Sequence, residues 1–376
     1  MTEQDILVRL VEDSEMQACN LFHNKLYKKS RSFEQWQWEF KSNLYNSSSV
    51  PFAVAVNQGQ IVGTQALIPI RMIDRTGVYW TAKSEETLVD PQFRGNKLFE
   101  RMYTVLFNYA KEHNYVNIWG FTPAAKAFTR LDFSISARTE QLFIPFSQKA
   151  ISMLLAKGTS GTQSTIKRSL RNIVAHAGGR IAQSVAAFKI SMQRRVKLTG
   201  LKLENICDPT DETAEVCQRF IDRWGGRTIY RDSNYFKWRF FTNPYVRSNI
   251  AGIFFEKELL GWVAFSLGDD GMGYLIDLMV NGDESRISTE SLVRELLLEA
   301  VIRTRNMGAY GIRSWHVNEH PFDRIVTRVA KKVGFFHIKR GHAFVLYDCD
   351  GGSSRSAADN FNEWYITRAF TQGLHG

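Results

Sequence analysis

Residues 84–99 read Ser84-Glu85-Glu86-Thr87-Leu88-Val89-Asp90-Pro91-Gln92-Phe93-Arg94-Gly95-Asn96-Lys97-Leu98-Phe99, two carboxylates followed by a basic, glycine-containing turn. A strand ending near Val89, a short turn and a helix from Leu98 together make an anion cradle. Free N–H groups at the helix start and the positive end of its dipole both point at the ligand. Arg94 and Lys97 add charge suited to a pyrophosphate. Glu85 and Glu86 lie on the strand that enters the turn, and strand alternation predicts one on each face. One of them then faces a cleft, where a carboxylate can take up a proton; otherwise both are solvated or salt-bridged edge residues. A third carboxylate, Asp277, interrupts the apolar strand Tyr274-Leu275-Ile276-Asp277-Leu278-Met279-Val280. It is either paired internally or turned to a cleft. Arg138, Glu140, Tyr230 and Arg231 are lesser candidates for lining such a cleft.

The elements that position these residues follow from periodicity. Leu98, Phe99, Met102, Val105, Leu106, Tyr109 and Ala110 step at three and four, which predicts an amphipathic helix after the turn. A strand over 116–121 and a second helix over 124–131 complete the unit. His316-Val317-Asn318-Glu319-His320 matches a His-x-x-Glu-His zinc pattern in form. That pattern needs a helix, whereas Trp315, Val317 and Pro321 predict a strand end, so no metal site is expected. His113, His316 and His320 read as satisfied side chains rather than catalytic ones.

Two stretches about 200 residues apart resemble each other: Trp38-Glu39-Phe40-Lys41-Ser42-Asn43 and Trp238-Arg239-Phe240-Phe241-Thr242-Asn243 share Trp-x-Phe-x-x-Asn. Each precedes a strand, a polar turn and a second strand with an apolar-Gly step, Val62-Gly63 and Leu260-Gly261. Leu131-Asp132-Phe133 later parallels Val333-Gly334-Phe335. The repeat predicts that Trp36, Trp38 and Trp238 pack in the core rather than stack on sugar rings. In the second half the strand runs into Asn281-Gly282-Asp283-Glu284-Ser285-Arg286, whose carboxylates would repel a pyrophosphate.

The net charge is +10 and hydrophobic residues make up 44 %, which excludes a disordered chain. No apolar run approaches the length of a membrane span. Met1-Thr2-Glu3-Gln4-Asp5-Ile6 shows no secretory signal, and four dispersed cysteines exclude a disulfide framework. A cytoplasmic protein is expected. Between Glu140 and Glu204 there is no acidic residue and there are eleven Lys or Arg, so the basicity belongs to this one segment. It reads as basic amphipathic helices interrupted at 158–164 and at Gly178-Gly179. Its candidate partners are an anionic membrane surface, at the inner face, or, with less support, nucleic acid; a solvated helical face is the plain alternative.

Pro91-Gln92-Phe93-Arg94-Gly95-Asn96-Lys97-Leu98 resembles the turn Pro-x-Tyr/Phe-Arg-Gly-x-Gly-Leu/Ile of the GNAT superfamily of N-acetyltransferases. The resemblance implies an α/β (α+β) fold of two tandem GNAT-like lobes, each a mixed twisted sheet flanked by helices. The expected segments are a lobe with the acyl-CoA site over 1–146, a basic helical connector over 147–200 and a degenerate lobe over 201–376. It implies acetyl-CoA or another acyl-CoA as co-substrate, no metal, and a coenzyme site at Leu88, Val89, Arg94, Gly95, Asn96, Lys97, Leu98 and Phe99. Candidate catalytic residues are then Glu85, Glu86 and Asp277, with an amine acceptor between the lobes. Residues 231–240 are similar to a signature of two-lobed members associated with cell-surface polysaccharide synthesis, which points to an amino sugar, a sugar nucleotide or a lipid-linked sugar. Three departures stand out. Lys97 replaces the second glycine, where it either crowds the pyrophosphate or contacts it. Phe99 replaces a usual small residue. Phe128 occupies the place of a Tyr that protonates the leaving thiolate. A FemAB-like aminoacyl transferase and a non-catalytic ligand- or partner-binding protein of the same fold are the alternatives.

Overall fold

The computed structural model describes residues 6–42, 50–156, 165–194, 198–281, 287–317, 319–338, 341–349 and 361–371. The first half begins with β1 (Leu7–Leu10), α1 (Met16–Tyr27) and α2 (Phe33–Phe40). Strands β2 (Phe52–Asn57), β3 (Gln60–Asp74) and β4 (Gly77–Val89) lead to α3 (Leu98–Glu112), β5 (Asn117–Thr122), the short α4 (Ala125–Phe128), β6 (Ser134–Arg138) and β7 (Glu140–Pro145). The connector holds α5 (Gln148–Ala156) and α6 (Thr165–Gln193). The second half repeats the order: β8 (Leu201–Asn205), α7 (Glu212–Trp224), the two-residue β9 (Thr228–Ile229), α8 (Ser233–Phe236), β10 (Ser248–Phe255), β11 (Glu258–Leu267), β12 (Gly273–Val280), α9 (Thr289–Asn306), β13 (Gly311–His316), α10 (Pro321–Val333), β14 (Phe336–Ile338) and β15 (Ala343–Asp348).

Two mixed sheets result, and they exchange strands. The first has the order β1-β2-β3-β4-β5-β15-β6, with β9 on β3; the second, read from its other end, is β8-β10-β11-β12-β13-β7-β14. Thus β7, which follows β6 in sequence, lies in the second sheet, and β15, which follows β14, lies in the first. Neither sheet is made from one contiguous segment. One apolar core spans both sheets, and a second lies between the first sheet and α3.

The repeat is physical. Trp38 and Trp238 stack with ring centroids 5.2 Å apart, and each indole donates to the other's carbonyl at 3.1 Å. Both are buried, as is Trp36, so these rings pack rather than bind. The two apolar-Gly steps are close approaches. A Cβ on Gly63 would press on Ala55, Leu88 and Met102, and one on Gly261 would fall 2.4 Å from the Met279 carbonyl. Asp132 and Gly334 both end helical turns in the left-handed region, which explains their parallel placement.

The connector departs from expectation at one point. Gly178-Gly179 does not interrupt the helix; α6 runs through both. Gly179 is there because α6 crosses α5 so closely that a Cβ would fall 2.4 Å from Ile151 Cδ1. The other expected break, 158–164, lies outside the described residues.

Candidate functional site

The strand β4 ends at Val89 and α3 starts at Leu98, as periodicity predicts. Between them Asp90 caps a 3-10 turn over Pro91–Phe93 by accepting from the Gln92 N–H at 3.0 Å. Asn96 Nδ2 donates to the Phe93 carbonyl at 3.0 Å and closes the loop. Gly95 has φ +93° and Lys97 φ +51°. Lys97 stands at the N-cap, and no side chain caps the helix. The N–H groups of the first turn of α3 therefore have no capping side chain and are open to water or a ligand. Arg94, Gly95, Asn96 and Lys97 are exposed around them. Leu98 is buried on the sheet, and Phe99 packs on Tyr103 and Phe128 at 5.0 and 5.3 Å. Phe128, buried among aromatic rings, has no proton to give.

Six residues before it ends at Val89, β4 leaves its neighbour. It pairs in parallel with β5 only at Ala82–Ile118 and Lys83–Trp119. Beyond that point β4 carries a bulge: its register against β3 shifts between Thr64 and Ala66, and Glu86 has φ +58°. Side chains of β3 pin the bulge. Thr64 Oγ1 donates to the Glu86 carbonyl at 3.3 Å and Gln65 Nε2 to the Glu85 carbonyl at 2.9 Å.

The bulge corrects the expectation of one glutamate on each face. Glu86 is drawn to α1 and the segment before α2: Arg31 donates to its carboxylate at 2.7 and 3.2 Å, and His23 Nδ1 lies 2.9 Å away. Arg31 also reaches Glu39 at 3.4 Å, and the Tyr245 hydroxyl donates to Glu39 at 3.0 Å. Lys83, two residues before Glu85 and on its face of the strand, places its ammonium against the Glu85 carboxylate. Glu85 and Glu86 therefore join one charged cluster with Arg31, Glu39 and Lys83.

Of these side chains Glu85 is the open one, at 36 % exposure against 4 % for Lys83 and Glu86. Burial works to raise Glu86, but the His23 and Arg31 hydrogen bonds and the Arg31 charge outweigh it and hold Glu86 below the ordinary carboxylate range. Glu39 is pushed up by burial, with Arg31 opposing. Burial brings Lys83 down to about 8, against the pull of Glu39.

Asp277 is placed differently from a cleft base. It is fully buried, receives Arg231 at 2.7 and 3.0 Å and the Thr367 hydroxyl at 2.7 Å, and lies 3.4 Å from the Trp262 indole nitrogen. Arg231 is thereby structural too. Glu140 pairs with His337 at 2.8 Å, and the Tyr230 ring lies under the Arg71 guanidinium; the Arg138 side chain lies outside the described residues. His316 sits between Ser314 and Asp323 at 2.7 and 2.8 Å, and His320 caps α10. Among the described residues no cluster of His, Cys, Asp and Glu could hold a metal ion.

Sequence reasoning missed His23, Arg31, Glu39, Lys83 and Tyr245. For Arg31 a signal existed. Arg31-Ser32 stands seven residues before Trp38 as Arg231-Asp232 stands before Trp238, and Ser32 and Asp232 both cap the helix that follows. Extending the repeat backwards would have paired the two arginines.

Residues 7–135 match the family model of the acetyltransferase (GNAT) domain. The fold of the whole chain is GNAT-like. It is similar to a GCN5-related N-acetyltransferase from Anabaena variabilis (TM-score 0.60, 10 % identity, covering 92 % of this chain and 73 % of that one). It is similar to a probable N-acyltransferase from Enterococcus faecalis (0.59, 9 %, 92 % and 72 %). It is also similar to Saccharomyces cerevisiae N-myristoyltransferase with bound myristoyl-CoA (0.58, 12 %, 92 % and 83 %). No curated protein matches the chain in sequence. The match runs from β1 past α4 and so takes in β4, the turn and the whole of α3.

Proposed function

We propose that the chain is an acyl-CoA-dependent N-acyltransferase, with acetyl as the first group to test. The donor pyrophosphate would lie on Arg94, Gly95, Asn96, Lys97, Leu98 and Phe99, with the donor arm along Leu88 and Val89. One observation carries this reading: the start of α3 is uncapped, cationic and set at the end of β4, beyond the point where β4 parts from β5.

The acceptor nitrogen attacks the thioester carbonyl carbon. The C–N bond forms, the C–S bond breaks, and coenzyme A leaves as its thiolate. The nitrogen gives its proton to Glu85, directly or through water. Glu85 is assigned because it alone of the three candidate carboxylates is substantially open to solvent. Glu86 is a positioning residue: its pair with Arg31 fixes the bulge that presents Glu85. Asp277 serves the second lobe as a structural counterion.

Residues 1–146 would supply the donor site, 147–200 the connector and 201–376 a lobe that closes the acceptor side. The acceptor is an amine, and the resemblance of 231–240 to members linked with polysaccharide synthesis supports an amino sugar, free or lipid-linked. A lipid-linked acceptor would bring a cytoplasmic enzyme to the membrane, and the basic segment 147–200 suits contact with an anionic surface there.

Calorimetric titration with acetyl-CoA tests the donor site. Micromolar binding that Arg94→Glu abolishes is the expected result and justifies a screen of amino-sugar acceptors. No binding of acetyl-CoA or longer acyl-CoAs overturns the proposal in favour of an aminoacyl-tRNA donor or a non-catalytic role.

A further inference from the structure

Over residues 178–193, the inner face of α6 is packed and its outer face is not. Inside, Gly179 meets Ile151, Ala186 and Ile190 are buried, Gln183 Nε2 donates to the Phe146 carbonyl at 2.7 Å, and Ala186 lies against Gly334. Outside, Ile181, Val185, Phe188 and Met192 are 65 %, 47 %, 66 % and 43 % exposed. Steps of four, three and four put all of them on one stripe. Single exposed apolar residues are ordinary, but a continuous apolar stripe marks an interaction surface.

The surroundings identify the occupant by charge. No acidic residue occurs between Glu140 and Glu204, where there are eleven basic ones. Arg180, next to Ile181 in the chain, and Arg194, one residue past the end of α6, are exposed, and Lys189 reaches the carbonyl of Lys331, whose own side chain is exposed. A second copy of the chain would set this segment against its own like charge. An anionic lipid surface satisfies both features: apolar side chains enter the boundary between headgroups and acyl chains, while basic side chains reach the phosphates. No described helix is long and apolar enough to cross a membrane, so the fitting geometry is a helix lying in the plane.

We infer that α6 is an interfacial helix that inserts Ile181, Val185, Phe188 and Met192 into an anionic membrane surface. This rests on the membrane contact proposed for 147–200 and names the face that makes it.

The full chain is sedimented with vesicles of phosphatidylcholine, alone or mixed with phosphatidylglycerol. The expected result is binding to the mixed vesicles only, with Phe188→Ser/Met192→Ser lowering the partition at least about tenfold. Arg180→Glu/Arg194→Glu should lower it as well. Acetyl-CoA binding and the thermal midpoint should hold in all variants, because the replaced side chains are exposed. If the wild type binds mixed vesicles and the serine variant binds them equally, the inserted face is overturned while the charge-driven contact stands. If the wild type binds neither vesicle, both are overturned. A dimer that the serine replacements convert to a monomer would also overturn the inference, assigning the stripe to a second copy.

Discussion

The ends of β4 and β12 are the same place in the two halves of the repeat, and they do different work. Glu86 and Asp277 each stand three residues before the last residue of their strand. Each lies at a register shift and is held by the arginine seven residues before the shared tryptophan. Beyond that the lobes diverge. In the second, the chain's last described segment lies on the strand: Thr367 bonds Asp277, the Tyr365 hydroxyl donates to the Leu278 carbonyl, and the Arg368 guanidinium stacks 4.3 Å over Tyr274. In the first, the strand opens into a helix start flanked by the exposed cations Arg94 and Lys97, and the paired carboxylate has an open neighbour, Glu85. One ion pair is thus a closed structural device, and its counterpart has become the floor of a candidate active site.

The largest effect should come from breaking the closed pair. Asp277→Ala leaves Arg231 charged and fully buried, which should cost about 3–5 kcal/mol in urea unfolding. Glu86→Ala should cost less, about 2 kcal/mol, because Arg31 keeps Glu39 at 3.4 Å. Equal losses would mean that the first lobe is as closed as the second. The next effect separates chemistry from structure. Glu85→Gln should lower kcat about a hundredfold with acetyl-CoA affinity and thermal midpoint unchanged. The same loss of kcat in Asp277→Asn, without loss of stability, would move the base to the second lobe.

Much of the architecture was legible because it is encoded locally and twice. The Trp-x-Phe segments, the apolar-Gly strands and the amphipathic α3 each carry their own periodicity, and α3 begins at Leu98 where the pattern starts. The strand exchange was not legible. Segments 140–145 and 343–348 read as apolar strands wherever they pair, and their partners lie far away in sequence. The site was half legible for the same reason. The cradle is a contiguous motif, whereas the charged cluster gathers His23, Arg31, Glu39, Lys83 and Tyr245 through tertiary packing. The face of Glu86 depends on a bulge at a residue type that ordinarily avoids positive φ.

A smaller effect tests how tightly that cluster is coupled. Lys83 is brought down to about 8, well below its value in the unfolded chain. Between about pH 8 and 10 the unfolded state then binds the extra proton, so the lysine's contribution to stability rises with pH there and is lost as pH falls toward 8. Wild type relative to Lys83→Met should gain on the order of 1 kcal/mol per pH unit across that window, read from unfolding midpoints in a pH series. A difference that is flat with pH would show that Lys83 keeps its charge through the window and that the cluster is wetter than its burial implies.

The smallest effect bears on the feature that most separates the two helix starts. Ser288 leads into α9 in extended backbone, whereas Lys97 leads into α3 at φ +51°, a conformation that costs an ordinary L-residue about 1 kcal/mol. Lys97→Gly removes that cost but frees the unfolded chain. The net stabilisation should therefore be under about 1 kcal/mol, a rise of a few degrees or less in thermal midpoint. The response of coenzyme affinity decides why the lysine is there. Contact with the pyrophosphate predicts weaker acetyl-CoA binding in Lys97→Gly, most clearly at low salt, where an exposed charge is least screened. Crowding predicts tighter binding at every salt concentration. The first outcome would make Lys97 a residue that trades backbone ease for charge at the donor site, a trade with no counterpart at Ser288.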